Sequence, residues 1–428
     1  MEIRTRFDYG KIPYGKDFTV RMMIEMEEQA RDTGVRKPLN IGLVLDRSGS
    51  MGGMKLHNVK EAAKHFIGQL ADEDIVSLTV FDDEILTIAG PTPAGRIPFL
   101  NEKIDSIEHR GRTFLSGGYE QGCAYVAERM GSQCISRVIL LTDGLANVGV
   151  QNPGALAEMA SFMRIRGITT TTIGVGSDYD EMLLGNMSEK GGGNAYFIEK
   201  PTDAVEVFAE EVGYLTSLSA TECTVKLEPA KHQLAYDQLN SYAVLDDGTW
   251  LVGDLYSGQK RSLLLEMKLP AIKTSGSVEL GRIIVTYRDA VEHETTPKTI
   301  HHPIEIEVVT KAAFKSVKPD TTVLSESSIL MMAKAKAEAI TLGDHRRFDE
   351  AAALLERVAA TVEKLGLADS RVRMFVEELR NLALRFRTQR DEYYTAHNRK
   401  RMYHDSNMIR MNRVESYESM ITRRNRST

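Results

Sequence analysis

The sequence predicts an α/β chain in which a doubly wound, mainly parallel sheet is inserted into an antiparallel β-sandwich and followed by a helical segment. Three patterns carry this reading. Between about residues 39 and 216, short apolar runs alternate with amphipathic stretches, the order that builds a parallel sheet with helices on both faces. On either side of that region apolar residues recur with a period of two, as in strands with one buried face. From about Leu324 to Tyr394 the period becomes helical.

The flanks explain the insertion. Phe18, Val20, Met22, Ile24 and Met26 alternate with Thr19, Arg21, Met23 and Glu25, so residues 1–37 are expected to hold two strands. An isolated hairpin is marginal in water, and its partner strands are expected from residues 218–312. There the alternation returns in Cys223–Leu227, Leu263–Leu269 and Ile304–Val308, separated by turn signals at Asp246-Asp247-Gly248 and Ser257-Gly258. Trp250 is read as a core or edge residue of this sandwich.

The inserted domain, residues 38–217, is expected to contain strands at Ile41–Asp46, Ile75–Phe81, Ile85–Ile88, Arg137–Asp143, Thr169–Val175 and Ala195–Ile198. A helix from about Lys55 to Leu70 shows Val59, Ala62, Ala63, Phe66, Ile67 and Leu70 on one stripe. Others begin near Ser116, Pro153, Tyr179 and Thr202. Residues 323–396 read as a three-helix appendage with segments at 326–342, 347–365 and 369–394, serving either docking or dimerisation or as a cap on the sandwich. Residues 397–428 carry eight Lys or Arg against Asp405, Glu415 and Glu418. They are expected to form a basic, largely disordered tail, with Ser406, Ser416, Ser419, Thr422 and Ser427 as phosphorylation candidates.

Composition narrows the function classes. The chain has 428 residues and a net charge of −6, which argues against whole-chain affinity for nucleic acid. The first nine residues lack the apolar core of a signal peptide, and no stretch reaches the roughly 20 apolar residues of a membrane span. A cytoplasmic protein without membrane attachment is expected. Cys123, Cys134 and Cys223 are odd in number and widely spaced, which suggests neither a disulfide framework nor a zinc site; they are read as buried small apolar residues.

The informative chemistry lies in Asp46-Arg47-Ser48-Gly49-Ser50-Met51, directly after the apolar run Ile41–Leu45. Two other segments complete a set of oxygen donors: Thr113 in the turn Gly111-Arg112-Thr113, and Asp143 at the end of the run Val138–Thr142. Ligands of open α/β sheets bind outside the carboxyl ends of the strands, where Asp46 and Asp143 both fall. Two carboxylates and three hydroxyls, with no His or Cys among them, suit a hard divalent ion, Mg²⁺ or Mn²⁺, rather than zinc. An octahedral ion held this way keeps an exchangeable position, and the charge balance lets an Asp or Glu side chain from a protein partner enter as the sixth ligand.

These residues resemble the von Willebrand factor A (VWA) family, whose metal-ion-dependent adhesion site is read from DxSxS, a distant Thr and a distant TDG-type Asp. All five positions match. The resemblance implies that Ser48, Ser50 and Thr113 touch the ion directly, whereas Asp46 and Asp143 act largely through water. The whole arrangement is similar to stand-alone bacterial and inter-alpha-trypsin-inhibitor-like VWA proteins, which act as binding modules or assembly factors. The leading expectation is a non-enzymatic, metal-dependent protein-binding module. One alternative is an accessory subunit of an AAA+ ATPase of the chelatase or MoxR type; the chain has no Gly-x-x-x-x-Gly-Lys-Ser/Thr loop, so the motor would be a separate protein. The other is a metal-dependent hydrolase, for which His57, His65, Asp82 and Asp83 are the available acid–base groups.

Overall fold

A computed structural model describes residues 1–28, 37–131, 134–143, 146–176, 179–198, 203–230, 235–290 and 296–411. The amino-terminal segment forms β1 (Glu2–Phe7), β2 (Lys11–Pro13) and β3 (Phe18–Glu27). The inserted domain follows as β4 (Leu39–Asp46), α1 (Met54–Gly68), β5 (Ile75–Phe81), β6 (Ile85–Pro93), α2 (Ile97–Asp105), α3 (Leu115–Glu128), β7 (Ile135–Thr142), α4 (Pro153–Ile165), β8 (Ile168–Val175), α5 (Glu181–Gly191), β9 (Gly192–Ile198) and α6 (Ala204–Thr216). The chain then returns through β10 (Leu218–Pro229), β11 (Ala235–Gln238), β12 (Ala243–Val244), β13 (Trp250–Tyr256), β14 (Lys260–Leu269), β15 (Gly276–Asp289) and β16 (Lys298–Val309). It ends in α7 (Lys311–Phe314), α8 (Thr321–Asp344), α9 (Phe348–Glu363), α10 (Ser370–Thr388), α11 (Arg390–Tyr393) and α12 (Ala396–Arg410).

The inserted sheet has the order β6-β5-β4-β7-β8-β9, parallel except for the β5–β6 pair. Its central strand, β4, is buried along its whole length, which is why its sequence runs apolar without alternation. The core on one face takes Phe66 from α1 and Phe208 from α6, whose rings meet edge to face at 5.4 Å. The core on the other face takes Tyr119, Cys123 and Val126 from α3 with Leu156 and Leu184 from α4 and α5. Helix α3 lies unusually close to the sheet. A Cβ placed on Gly122 would stand 2.2 Å from Val44 Cγ2, and one on Gly118 would stand 2.5 Å from the Phe81 ring, so only glycine permits this spacing.

The sandwich pairs a sheet of order β1-β3-β14-β11 with one of order β12-β13-β10-β15-β16-β2. Residues 1–28 thus supply three strands, one more than the alternation suggests, and place them in both sheets. Strand β2 is the addition, three residues long and parallel to β16. Strands β11, β12, β13 and β15 and helix α2 are likewise additional to the elements the sequence predicts. Trp250 is buried in the sandwich core with Met22, Ile24 and Leu265.

The carboxyl-terminal helices cap this sandwich. Met23 and Leu264, which point away from the sandwich core, are buried among Val323, Leu330 and the apolar stripes of α9 and α10. Strand β3 is therefore covered on both faces, and Met23 belongs to the cap interface rather than to a solvent face. Over residues 397–410 the expected disordered tail is instead helix α12, with Lys400, Asp405 and Ser406 buried. Its charges have specific partners: Lys336 bridges Glu378 at 2.7 Å and Asp405 at 3.3 Å. Arg399 pairs with Glu181 and Asp344, and the Lys400 ammonium sits 4.6 Å from the Tyr179 ring centre. Composition registers charge but not long-range pairing, which is why the segment reads as solvated. Ser406, on the buried face of this helix, is not the exposed acceptor expected; Ser416, Ser419, Thr422 and Ser427 lie outside the described residues.

Candidate metal centre

The site is assembled where β4 and β7 end side by side. The two strands pair in parallel with Leu45 opposite Leu141, so the residues that follow, Asp46 and Thr142, meet at the carboxyl edge. The Thr142 hydroxyl donates to Asp46 Oδ2 at 2.5 Å. The other oxygen, Oδ1, accepts the Ser48 backbone N–H at 2.7 Å, which bends the chain so that Ser48 and Ser50 turn back toward Asp46. Ser48 Oγ and Ser50 Oγ are 3.1 Å apart, and Ser50 donates to Asp143 Oδ1 at 2.7 Å.

Thr113 arrives on a third loop tied to both others. Gly49 N–H donates to the Gly111 carbonyl at 3.1 Å, and Arg110 N–H to the Arg47 carbonyl at 2.8 Å. Thr113 itself exchanges bonds with Asn147: its N–H donates to Asn147 Oδ1 at 2.8 Å, and its carbonyl accepts Asn147 N–H at 3.1 Å. Gly111 holds a left-handed backbone, φ +72°, and a Cβ there would collide with Asp83 Oδ1 at 1.7 Å. The structure therefore brings all five sequence-predicted residues to one edge of the sheet. Asp46, Ser48, Thr113 and Asp143 are buried, whereas Ser50 is exposed.

The electrostatics favour a cation. Burial is the main force that raises the Asp46 carboxyl to about 6, opposed by its bonds from Thr142 and Ser48 and reinforced by the neighbouring Asp143 charge. Two buried carboxylates whose charges repel each other favour a positive charge nearby. Around an ion with ligands at about 2.0–2.1 Å, adjacent octahedral oxygens stand roughly 3 Å apart, close to the Ser48–Ser50 and Ser50–Asp143 separations. The donor set thus fits a hard divalent ion in chemistry, and its Ser48, Ser50 and Asp143 oxygens fit one in spacing. Among the described residues no cluster of three His, Cys, Asp or Glu side chains offers an alternative centre.

Two contributors escaped sequence reasoning. Asn147 positions the Thr113 loop through its side-chain oxygen, and its only signal is that it lies four residues beyond Asp143. Lys55 places its ammonium 2.5 Å from Asp143 Oδ2; its signal is a lysine in the first turn of a helix, where the macrodipole disfavours cations.

Of the acid–base groups of the hydrolase alternative, Asp83 is exposed beside the Thr113 loop, where it accepts the Arg112 N–H at 3.3 Å, and the other three are exposed on α1 or held in ion pairs. His57 and His65 are exposed on α1, and the His65 ring lies 2.8 Å from the Gln69 amide. Asp82 accepts from Arg47 at 3.0 Å and Arg110 at 2.8 Å. Of the three thiols, Cys123 and Cys223 are buried as expected. Cys134 is only half-buried, with Sγ 3.4 Å from the Gly131 carbonyl oxygen.

Comparison with known proteins bears on this geometry. Residues 40–210 match the family model of the von Willebrand factor type A domain. An uncharacterized protein of Synechocystis sp. is 26% identical over 80% of this chain and 82% of its own length. Inter-alpha-trypsin inhibitor heavy chain H3 of Homo sapiens is 29% identical over 41% of this chain and 21% of that one. The solved structure of von Willebrand factor type A from Catenulispora acidiphila superposes with a TM-score of 0.68 at 17% identity, covering 87% of this chain and 88% of that chain, which shows a shared fold. Residues 40–210 are thus a von Willebrand factor type A (VWA) domain, in a chain that shares its fold with a bacterial VWA protein and part of its sequence with an inter-alpha-trypsin inhibitor heavy chain.

Proposed function

We propose that this protein is a metal-dependent protein-binding module. In this reading Asp46, Ser48, Ser50, Thr113 and Asp143 hold Mg²⁺ or Mn²⁺, and the ion's exchangeable position captures an Asp or Glu carboxylate of a partner. The observation that carries the reading is the convergence of Ser48, Ser50 and Asp143 oxygens, at 3.1 and 2.7 Å, beside the buried Asp46 carboxylate. When bound, the ion would supply a Lewis-acidic point for a carboxylate. The chain's own residues do the rest: Thr142 and the Ser48 amide fix Asp46, Asn147 fixes the Thr113 loop, and Ser50, the exposed member, lines the mouth through which a partner enters.

A hydrolase is disfavoured because Asp82 is held by two arginines and His57 faces solvent. Service to an AAA+ ATPase is compatible with the same site and differs only in the partner's identity. A cytoplasmic setting belongs to the proposal; it is supported by three free thiols, which suit a reducing compartment. Among the described residues no helix is long and apolar enough to cross a membrane.

The test is Mn²⁺ electron paramagnetic resonance on the whole chain, with a short Glu-containing peptide as the carboxylate probe. Wild type should immobilise Mn²⁺, and the peptide should alter its signal. Thr113→Ala should weaken both effects. A Gln-containing peptide that alters the signal equally would contradict carboxylate capture.

A further inference from the structure

Lys55 occupies a position that helix physics disfavours. It is the second residue of α1, whose first turn contains no acidic side chain, so its charge faces the positive end of the helix dipole. The side chain does not compensate by extending into solvent. It runs over Gly176, where a Cβ would stand 3.3 Å from Lys55 Cε and 3.4 Å from Nζ, and ends with Nζ 2.5 Å from Asp143 Oδ2. The other oxygen of Asp143 accepts Ser50 Oγ at 2.7 Å. Asp143 is fully buried, whereas the Lys55 side chain is 28% exposed, so the ammonium has a way out and the carboxylate does not.

We propose that Lys55 is a tethered cation that competes with the divalent ion for Asp143 and thereby sets how tightly the metal is held. The proposal rests on the metal-binding reading above. Two positive centres sharing one buried carboxylate repel across a medium that screens poorly, so the ammonium must withdraw along the Gly176 surface as the ion enters. Without the ion it neutralises part of the charge on the Asp46 and Asp143 pair, which otherwise strains the folded state. The arrangement trades metal affinity for stability of the metal-free domain. It also leaves a displaced ammonium at the rim, where an incoming acidic side chain supplies a new counter-ion.

The experiment is a calorimetric Mn²⁺ titration of the full chain as wild type, Lys55→Met, Lys55→Arg and Asp46→Ala, with thermal melting of each in chelator and in excess Mn²⁺. Lys55→Met keeps the apolar stem and removes the charge. It should bind Mn²⁺ at least tenfold more tightly than wild type, melt lower in chelator, and recover in Mn²⁺. Lys55→Arg retains the charge and should stay within a few-fold of wild type. Lys55→Met binding no more tightly than wild type overturns the role of Lys55 and leaves the metal site standing. Equal tightening by Lys55→Arg also overturns it, because charge would then not be the cause. If neither wild type nor Lys55→Met binds Mn²⁺ more tightly than Asp46→Ala does, the metal-binding reading itself falls, and this proposal with it.

Discussion

Arg137 Nη2 and Asp254 Oδ2 lie 2.6 Å apart, joining the VWA sheet to the sandwich through an ion pair buried on both sides. Arg137 stands on β7 and Asp254 on β13. The same guanidinium donates to Glu211 of α6 at 2.9 Å and to Thr169 at 2.9 Å. Glu211 in turn accepts from Thr171, Asn194 and Tyr196 at 2.6, 2.8 and 2.9 Å. One residue thus links the sheet, the last helix of the VWA domain and the sandwich that this helix leads into.

Removing the cation alone leaves two buried carboxylates without their principal counter-charge. Arg137→Met is expected to cost about 3–5 kcal/mol, the range for breaking a buried pair from one side. Equilibrium denaturation measures it. Adding Glu211→Gln and Asp254→Asn to Arg137→Met removes both charges while keeping an acceptor for Thr171, Asn194 and Tyr196, and should recover much of that loss, because the penalty lies in the uncompensated charges and not in the missing attraction. A triple variant no more stable than Arg137→Met would contradict this.

Gly122→Ala sets helix propensity against packing. Alanine gains about 1 kcal/mol in a helix interior, but its Cβ would press on Val44 Cγ2 at 2.2 Å, and overpacking typically costs about 1–3 kcal/mol. The net should be destabilising. Because α3 starts two residues after Thr113, the displaced helix should also weaken Mn²⁺ binding. Combining the change with Val44→Ala should give a loss smaller than the sum of the single losses, by about 0.5–3 kcal/mol. Strict additivity in this double-mutant cycle would show that the contact does not limit α3.

Most of the VWA domain was legible because its signals are local. The segment Ile75–Phe81 coincides with β5, because a short run rich in apolar and β-branched residues bounded by polar ones is a strong strand signal. The five oxygen donors were legible through spacing relative to strand ends, which a parallel register converts directly into proximity. The rest depended on relationships that one stretch of sequence does not carry. β15 buries Val278 and Leu280, then Ile283, Val285 and Tyr287, but the register shift between Glu279 and Gly281 breaks the phase of that alternation, and pairing with both β10 and β16 fixes the strand. Helix α12 has a low mean hydropathy, and its folding depends on buried partners as distant as Lys336 and Glu181. Lys55 belongs to the same class: its meaning appears only when Asp143, 88 positions away, lies beside it.

Asp320 shows how the helical cap is fastened. It accepts from Thr322 N–H at 2.9 Å and Val323 N–H at 3.3 Å as the N-cap of α8, and pairs with Arg6 of β1 at 2.6 Å. Burial pushes its carboxyl upward, but the bonds from Arg6 and the two amides outweigh burial, and the net pKa is below the ordinary 3.8. An acid whose folded pKa is depressed contributes stability above its unfolded pKa and loses it as pH falls through the folded value. Asp320→Ala is expected to lose about 0.5–2 kcal/mol near neutrality, the usual range for a lost N-cap. The gap to wild type should close as pH falls below about 3.8. Thermal melts of both proteins from pH 7 downward check this, and a gap independent of pH would remove the carboxylate charge from the explanation.

The central claim is that the oxygens gathered at the ends of β4 and β7 hold a divalent cation. Calorimetric titration of Mg²⁺ and Mn²⁺ into wild type and into the Asp46→Ala, Ser48→Ala double variant tests it most directly. Saturable binding of one ion per chain in wild type, lost in a double variant that retains its fold, is the expected result. Equal binding in both proteins, or none in wild type at millimolar ion, would contradict it.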